Sequence, residues 1–338
     1  MGIEPAEHYA YGTRRRFLAN GLVPILLLPA LVRAASGRVH TRAAGEPGGS
    51  GAVRSTNSAD GRLTTPVYID GSGPYRFLVD TGSERSVLAE EVAAHLRLPV
   101  GSKVLVEGIV RSMPAQLVRI ERLALGTLTC WRLEVPTLPR DLLGVDGILG
   151  LDVLNGRRVI FDFASRTLKV TRTQGFLAAM WSRLSAVSVR TLGQSGRLRA
   201  TDCSIDGIPA AAFIDTGANV TVSNLALFSA CQRRDPALKT LGTLELSGVT
   251  GGTTLGRVAL FERFRLGALM LTDTPVIVVD LAIFDLWGLR HQPALLMGMN
   301  CLRCFTWVSI DYGRKELNFE VPDTSARPVE PPALQPIL

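Results

Sequence analysis

The stretches Phe77-Leu78-Val79-Asp80-Thr81-Gly82-Ser83 and Phe213-Ile214-Asp215-Thr216-Gly217-Ala218 state one pattern twice: a short apolar run that closes on Asp-Thr-Gly. The apolar run reads as a buried strand. A carboxylate, a small hydroxyl and a glycine at its end make a turn that can hold a charge close to another backbone, because glycine has no side chain to obstruct approach. Two carboxylates presented in matched settings form a pair if the two copies face each other.

The matching continues on both sides of the triplets. Upstream, Val67-Tyr68-Ile69 leads into Asp70-Gly71, and Cys203-Ser204-Ile205 leads into Asp206-Gly207, each a strand and hairpin turn before the Asp-bearing strand. Downstream, Ile148-Leu149-Gly150 and Leu296-Met297-Gly298 recur, each with a polar residue two places on, Asp152 and Asn300, suited to cap a short helix. Then come Val159-Ile160-Phe161-Asp162-Phe163 and Val308-Ser309-Ile310-Asp311-Tyr312, each followed by a basic turn and a last strand. Four landmarks in one order, offset by 135 to 149 residues, mark an internal duplication.

With these landmarks the chain resembles the aspartic proteases, both the two-lobed pepsin-like enzymes and the half-sized retroviral (retropepsin-like) ones. Asp80-Thr81-Gly82-Ser83 is similar to the first-lobe motif, and Asp146-Gly147-Ile148-Leu149-Gly150-Leu151 to the pepsin-like segment that follows it. Asp215-Thr216-Gly217-Ala218 resembles the retroviral version, with Ala after Gly. The resemblance covers roughly residues 61–322. It implies a mostly β, bilobal acid-protease fold, with two pseudo-twofold-related β-barrel-like lobes and few short helices.

Length and composition agree with that expectation. A chain of 338 residues, 46% hydrophobic and 20% charged, can bury two modest cores. Runs of Val, Ile, Leu and Thr are punctuated by Gly and Pro, and the best helix candidates are short: Ala89 to Leu96 after the first triplet, Ser223 to Cys231 after the second. The expected division is a signal peptide at 1–35, a flexible spacer at 36–60, an N-terminal lobe at 61–172, a linker at 173–197, a C-terminal lobe at 198–322 and a Pro-rich tail at 323–338. Within the linker, Phe176-Leu177-Ala178-Ala179-Met180-Trp181 and its continuation suit a helix or an interlobe strand.

The signal assignment rests on Thr13-Arg14-Arg15-Arg16-Phe17-Leu18, the apolar stretch Ala19 to Val32, and the small-residue cleavage pattern Val32-Arg33-Ala34. That stretch is shorter than the about 20 residues a membrane helix needs. The paired arginines resemble a bacterial twin-arginine (Tat) export signal, which implies a periplasmic or secreted protein with no stable span in its mature form. Net charge is +7, falling to +5 without the four arginines and two glutamates of residues 1–34. With no Lys/Arg run, this is no nucleic-acid footprint.

Competing chemistries lack their parts. H-E-x-x-H, G-x-S-x-G and G-x-x-x-x-G-K-[ST] are all missing, and His40, His95 and His291 are scattered. Cys130, Cys203, Cys231, Cys301 and Cys304 make an odd set; Cys301-Leu302-Arg303-Cys304 has no second cysteine pair or paired histidine to complete a metal site, so packed thiols or a disulfide are expected. No metal or cofactor is called for.

The resemblance assigns Asp80 and Asp215 as catalytic residues of an aspartic endopeptidase acting on peptide or unfolded protein. Gly82 and Gly217 belong to the same supporting loops. Thr81 and Thr216 would exchange hydrogen bonds with main chain across the lobe interface. Ser83 could donate to the neighbouring carboxylate whereas Ala218 could not, which predicts a dyad less acidic than one flanked by two hydroxyls. Flap candidates are Val104 to Leu117, with tip Glu107-Gly108-Ile109, and Leu246 to Gly256, with Gly248, Gly251 and Gly252; whether one flap or two close stays open. With both triplets on one chain the expected dyad is intramolecular, in a monomer. The alternatives are a non-catalytic peptide-binding module of the same fold and an exported repeat protein in which the triplets are only turns.

Overall fold

The computed structural model describes residues 63–173, 186–194, 197–200 and 202–321, together with short strands at Leu26–Leu28, Ala30–Leu31, Gly51–Arg54 and Thr56–Asn57. The architecture is mostly β and bilobal, as the duplicated sequence predicts. In the first lobe the strand order is Leu63–Ile69, Ser72–Val79, Gly147–Leu149, Val87–Ala89, Leu128–Leu138 and Ser112–Leu125. The last pairs back onto the first through Tyr68 opposite Ala124 and Ile69 opposite Leu123, which closes a barrel. The second lobe follows a matching order, Arg197–Ala200, Ala211–Ile214, Ala294–Met297, Val222–Ser223, Leu269–Val278 and Thr253–Leu266, with Cys203–Ile205 pairing back onto the last of these.

The repeated landmarks have repeated structural tasks. Asp70 and Gly71 both take positive φ, as do Asp206 and Gly207, so each pair builds the tight turn that its Asp-Gly predicts. Each turn aspartate also accepts a hydrogen bond from a distant strand, Asp70 from Arg122 N and Asp206 from Arg263 N, both at 2.7 Å. The apolar runs end buried on both sides: Phe77, Leu78 and Val79 lie parallel to Gly147–Leu149, and Ala211–Ile214 parallel to Ala294–Met297. Near-continuous hydrophobicity is what a doubly covered strand requires.

The lobes are joined by a six-stranded antiparallel sheet. Its order is Gly51–Arg54, Thr167–Arg172, Arg157–Asp162, Trp307–Asp311, Glu316–Glu320 and Ala186–Gln194. At its centre the duplicated segments pair with each other, Val159 opposite Ile310 and Phe161 opposite Val308. A self-complementary pairing of this kind is the main-chain expression of the pseudo-twofold axis.

The structure sharpens three expectations. Within the segment expected as a spacer, Gly51–Arg54 and Thr56–Asn57 are paired strands; small and polar composition does not prevent a segment from satisfying its backbone groups at an open sheet edge. The linker supplies an interlobe strand, Ala186–Gln194, while Phe176 to Trp181 lie outside the described residues, as do the twin arginines and the Pro-rich tail. The short helices start later than expected, at Glu90 and Leu225. The second is capped by Asn224, whose side chain accepts from Leu227 N at 3.0 Å.

Asp152 and Asn300 do not cap the helices Leu151–Leu154 and Met299–Leu302; Gly150 and Gly298 hold those positions. Instead each side chain reaches the loop that follows an Asp-Thr-Gly. Asp152 Oδ1 accepts from Ser86 N at 2.9 Å and Ser86 Oγ at 2.7 Å, and Asn300 Oδ1 accepts from Thr221 N and Thr221 Oγ1, both at 2.8 Å. The hydroxyls in turn accept from Gly150 N and Gly298 N, each at 3.1 Å. A charged and a neutral group thus perform one task in the two lobes.

Burial pushes the Asp152 carboxyl above the ordinary carboxylate range, and the Ser86 hydrogen bonds oppose that shift without cancelling it. A raised folded-state value means that this group favours the fold fully below its unfolded value of about 3.9 and loses that contribution as pH climbs through the raised value. Asp152→Asn, which keeps the acceptor as Asn300 does, should flatten that decline. Relative to wild type it gains stability at neutral pH and gains none at pH 3, read from unfolding midpoints across a pH series. Parallel profiles for the two proteins would refute this account.

Candidate active site

Asp80 and Asp215 stand at matching strand ends, each anchored by its main chain: Asp80 N donates to Leu149 O and Asp215 N to Met297 O, both at 3.0 Å. Both residues are buried, at 0% and 2% exposure. In each loop the triplet's amides turn inward. Gly82 N and Ser83 N donate to Asp80 Oδ1 at 2.8 and 3.0 Å, and Gly217 N and Ala218 N donate to Asp215 Oδ1 at 3.0 and 3.2 Å. One oxygen of each carboxylate is therefore held by two local amides, which fixes the direction of the other.

The two loops converge. A Cβ placed on Gly82 would stand 2.8 Å from Asp215 Cγ, and one on Gly217 would stand 2.4 Å from Asp80 Cγ. Each carboxyl group therefore lies against the glycine of the opposite triplet, at a distance no larger residue permits. This is the physical reason for glycine at the third position: neither Gly82 nor Gly217 has positive φ, so close approach and not backbone conformation demands it.

Thr81 and Thr216 lock the convergence. Thr81 Oγ1 donates to Ile214 O at 2.9 Å and accepts from Thr216 N at 3.0 Å; Thr216 Oγ1 donates to Val79 O at 2.8 Å and accepts from Thr81 N at 3.1 Å. Four buried hydrogen bonds cross the lobe interface through two hydroxyls. Thr81→Val keeps the shape but strands Ile214 O and Thr216 N without partners, at about 1–3 kcal/mol for each buried group. Unfolding midpoints should fall for Thr81→Val and for Thr216→Val. The double variant should cost less than the sum, because both act on one network, while Thr81→Ser should restore most of the loss. Additive losses would mean that the threonines act separately.

Ser83 departs from expectation. Its hydroxyl donates to Arg85 O at 2.7 Å and so is not directed at Asp80, whose Oδ1 it serves only through its amide. Ala218 provides the same amide to Asp215. The two carboxylates consequently receive equivalent donors from these positions, and the expected asymmetry between a hydroxyl and a methyl side loses its physical basis. A backbone carbonyl two residues on competes for the hydroxyl, a turn contact of the kind short polar side chains commonly make.

Both flap candidates are hairpins. The first runs Val100–Gly108 and Ser112–Leu125; the second runs Thr240–Gly248 and Thr253–Leu266. Glu107 and Gly108 end the ascending strand, so the first tip is centred at Ile109, Val110 and Arg111, shifted toward the C-terminus from the expected Glu107-Gly108-Ile109. Glu107 keeps one carboxylate oxygen enclosed with no hydrogen-bond partner among the described residues. At the second tip Gly248, Gly251 and Gly252 close the turn, with Gly251 N donating to Gly248 O at 2.8 Å and positive φ at Gly251 and Gly252.

The tips touch each other. Arg111 Nε donates to Thr250 O at 2.8 Å and Thr250 Oγ1 donates to Arg111 O at 2.7 Å. Ile109, only 3% exposed, joins the second lobe's cluster of Leu246, Val220 and Phe213. Gly108 faces Thr250 closely enough that no side chain fits there. Arg111 and Thr250 were not legible as a pair from sequence, since nothing in either segment signals that two flaps 139 residues apart share a hydrogen bond.

The five cysteines stand as separate thiols, four of them buried. Burial pushes Cys203, Cys231 and Cys301 up to about 12, so these are inert packing groups at neutral pH. In the Cys301 and Cys304 pair, Cys301 Sγ lies 3.0 Å from Thr221 Oγ1. The motif serves the helix that braces the second triplet. No helix among the described residues is long and apolar enough to cross a membrane.

No curated protein matches the chain in a search by sequence. A family model described as aspartyl protease matches residues 65–153 and again 201–301, together more than half of the chain and one match in each lobe. The two matched regions each contain one Asp-Thr-Gly, the strand before it and the apolar-glycine landmark beyond it. The chain belongs to the aspartyl protease family.

Proposed function

We propose that the protein is an aspartic endopeptidase in which Asp80 and Asp215 together activate the water that hydrolyses the peptide bond. The observation that carries this reading is the mutual approach of each carboxyl group and the opposite triplet's glycine, locked by the threonine hydroxyls. Two buried carboxyl groups in one site cannot both ionise cheaply, so the pair holds one proton over a broad pH range. The ionised member takes a proton from water as the water attacks the carbonyl carbon. The protonated member donates to the developing oxyanion, and return of a proton to nitrogen releases the amine. The residues supply base and acid from one pair, and no covalent acyl intermediate forms.

The family implies a peptide substrate, and the geometry supports an extended one. The tips of the two hairpins meet each other, and strand edges bind extended chains through main-chain hydrogen bonds. Glycines at the second tip and at Gly108 let the hairpins meet and part. Because both aspartates belong to one chain, the active unit on this reading is a monomer. Export to the periplasm or beyond is supported by the twin-arginine segment and the apolar stretch after it.

The test is cleavage of an unstructured protein by purified residues 36–338, followed by mass spectrometry of the fragments. Internal cuts that are insensitive to a metal chelator support the reading. Intact substrate at every pH between 3 and 8 would overturn it, and binding without turnover would favour a peptide-binding module.

A further inference from the structure

The two flaps are equivalent in register and differ in chemistry at one level. Glu107 and Ser247 each precede the glycine that ends an ascending strand, Gly108 and Gly248. Each also stands opposite a hydroxyl-bearing residue of the returning strand, Ser112 and Thr253. Their neighbours Val106 and Leu246 are fully buried in apolar cores. Successive side chains of a strand face opposite ways, so Glu107 and Ser247 face away from those cores.

Both positions hold an enclosed side-chain oxygen with no hydrogen-bond partner among the described residues, Glu107 Oε2 and Ser247 Oγ. Enclosed polar atoms are nearly always bonded, so two such oxygens at equivalent places point to one cause. Arg111, four residues beyond Glu107, turns its Nε to Thr250 O instead. The outer edge of each ascending strand accepts a further strand at this level: Leu31 pairs opposite Glu107 and Leu27 opposite Ser247. A leucine side chain offers neither oxygen a donor. Residues paired across neighbouring strands share a face, with about 4.5–5.5 Å between Cβ atoms in an antiparallel pair. An extended substrate on these edges therefore sets one side chain beside Glu107 and another beside Ser247, on opposite sides of the pseudo-twofold axis.

We propose that Glu107 is a specificity-determining residue that selects a substrate with lysine or arginine at the position paired with the first flap, while Ser247 at the equivalent place sets no charge requirement. This deepens the protease reading above and rests on it. A cationic side chain donates to the enclosed carboxylate oxygen and balances its charge. An apolar side chain leaves that oxygen unbonded, and an acidic one repels it. The chain thus breaks the symmetry of its own duplication. Main-chain pairing is alike on both flaps, and the side chain at this level gives the bound peptide a direction.

The experiment uses purified residues 36–338, which contain every described strand of both lobes and of the interlobe sheet. A library of unstructured peptides is digested and the cut sites are read by mass spectrometry. The expected result is enrichment of lysine or arginine at one fixed offset on one side of the scissile bond, with none at the mirrored offset. For a lysine peptide and its leucine counterpart, the ratio of kcat/KM values should fall about tenfold in Glu107→Gln. Glu107→Lys should favour a glutamate peptide over the lysine one. Ser247→Glu should create a second basic preference at the mirrored offset, a gain that lost folding cannot produce. Absence of any basic preference, or an unaltered one in Glu107→Gln, overturns the proposal. The same peptides, fluorescently labelled, are also titrated into Asp80→Asn with and without Glu107→Gln, which reads the preference without turnover. If residues 36–338 cleave nothing while binding favours lysine only where Glu107 is kept, the specificity stands and the protease reading falls. Equal binding of the lysine and leucine peptides overturns the specificity.

Discussion

Asp80→Asn and Asp215→Asn should each lower kcat by about 10²–10⁴-fold, the range by which a positioned general acid or base accelerates a reaction. The substituted amide keeps an oxygen in the place of Oδ1. In Asp80→Asn that oxygen still accepts from Gly82 N and Ser83 N, and in Asp215→Asn it still accepts from Gly217 N and Ala218 N. Local structure therefore survives. Thermal unfolding midpoints should hold or rise, since each substitution replaces one of two ionisable groups of a buried site with a neutral one. The rise should be larger at neutral pH than at pH 3, where both carboxyl groups are protonated in the unfolded chain and the cost of burying charge vanishes. The pH profile supplies a second readout. A pair sharing one proton has a bell-shaped dependence of kcat/KM, with a limb from deprotonation of each member. Wild-type activity in either variant would remove the pair from the chemistry.

Gly217→Ala should be nearly as damaging to activity for a different reason. The added methyl would begin 2.4 Å from Asp80 Cγ, well inside contact distance, and the carboxyl group or the loop must retreat. Retreat by about 1 Å is enough to cost a hundredfold in rate where two reacting groups must be held in register. Overpacking adds about 1–3 kcal/mol of destabilisation, which lowers the unfolding midpoint, in contrast to the aspartate variants. Gly82→Ala should show the same pattern less strongly, because its methyl would meet Asp215 Cγ at 2.8 Å. Measuring kcat/KM with unfolding midpoints for all four variants separates lost chemistry from lost geometry. If Gly217→Ala is as active and as stable as wild type, the two loops do not approach as described.

That Asp80 and Asp215 form a pair was legible in the sequence, because the flanking strands, turns and apolar-glycine landmarks repeat in order. That the third residue of each triplet must be glycine to admit the other triplet's carboxyl group was visible only once both loops stood together. The tasks of Asp152 and Asn300 show the same division. Their matched positions were plain, but a short helix offered a cap as the nearest explanation, whereas the fold brings Ser86 and Thr221 within reach. Ser83 is the converse case: a hydroxyl next to the triplet suggested a bond to the carboxylate, and a carbonyl two residues away takes it.

What the sequence by itself determined is the duplication, the mostly β lobes, the hairpin turns at Asp70-Gly71 and Asp206-Gly207, and the two carboxylates. All of these are carried by local patterns: apolar runs, turn residues that tolerate positive φ, and the recurrence of both at one offset. Only the tertiary structure decided the hydroxyl exchange between Thr81 and Thr216 in detail, the meeting of Arg111 with Thr250, and the pairing of Val159 with Ile310 across the interlobe sheet. Those contacts join residues far apart in the chain, or two backbone edges. A hydrogen bond of that kind depends on where the chain returns, which no local preference encodes.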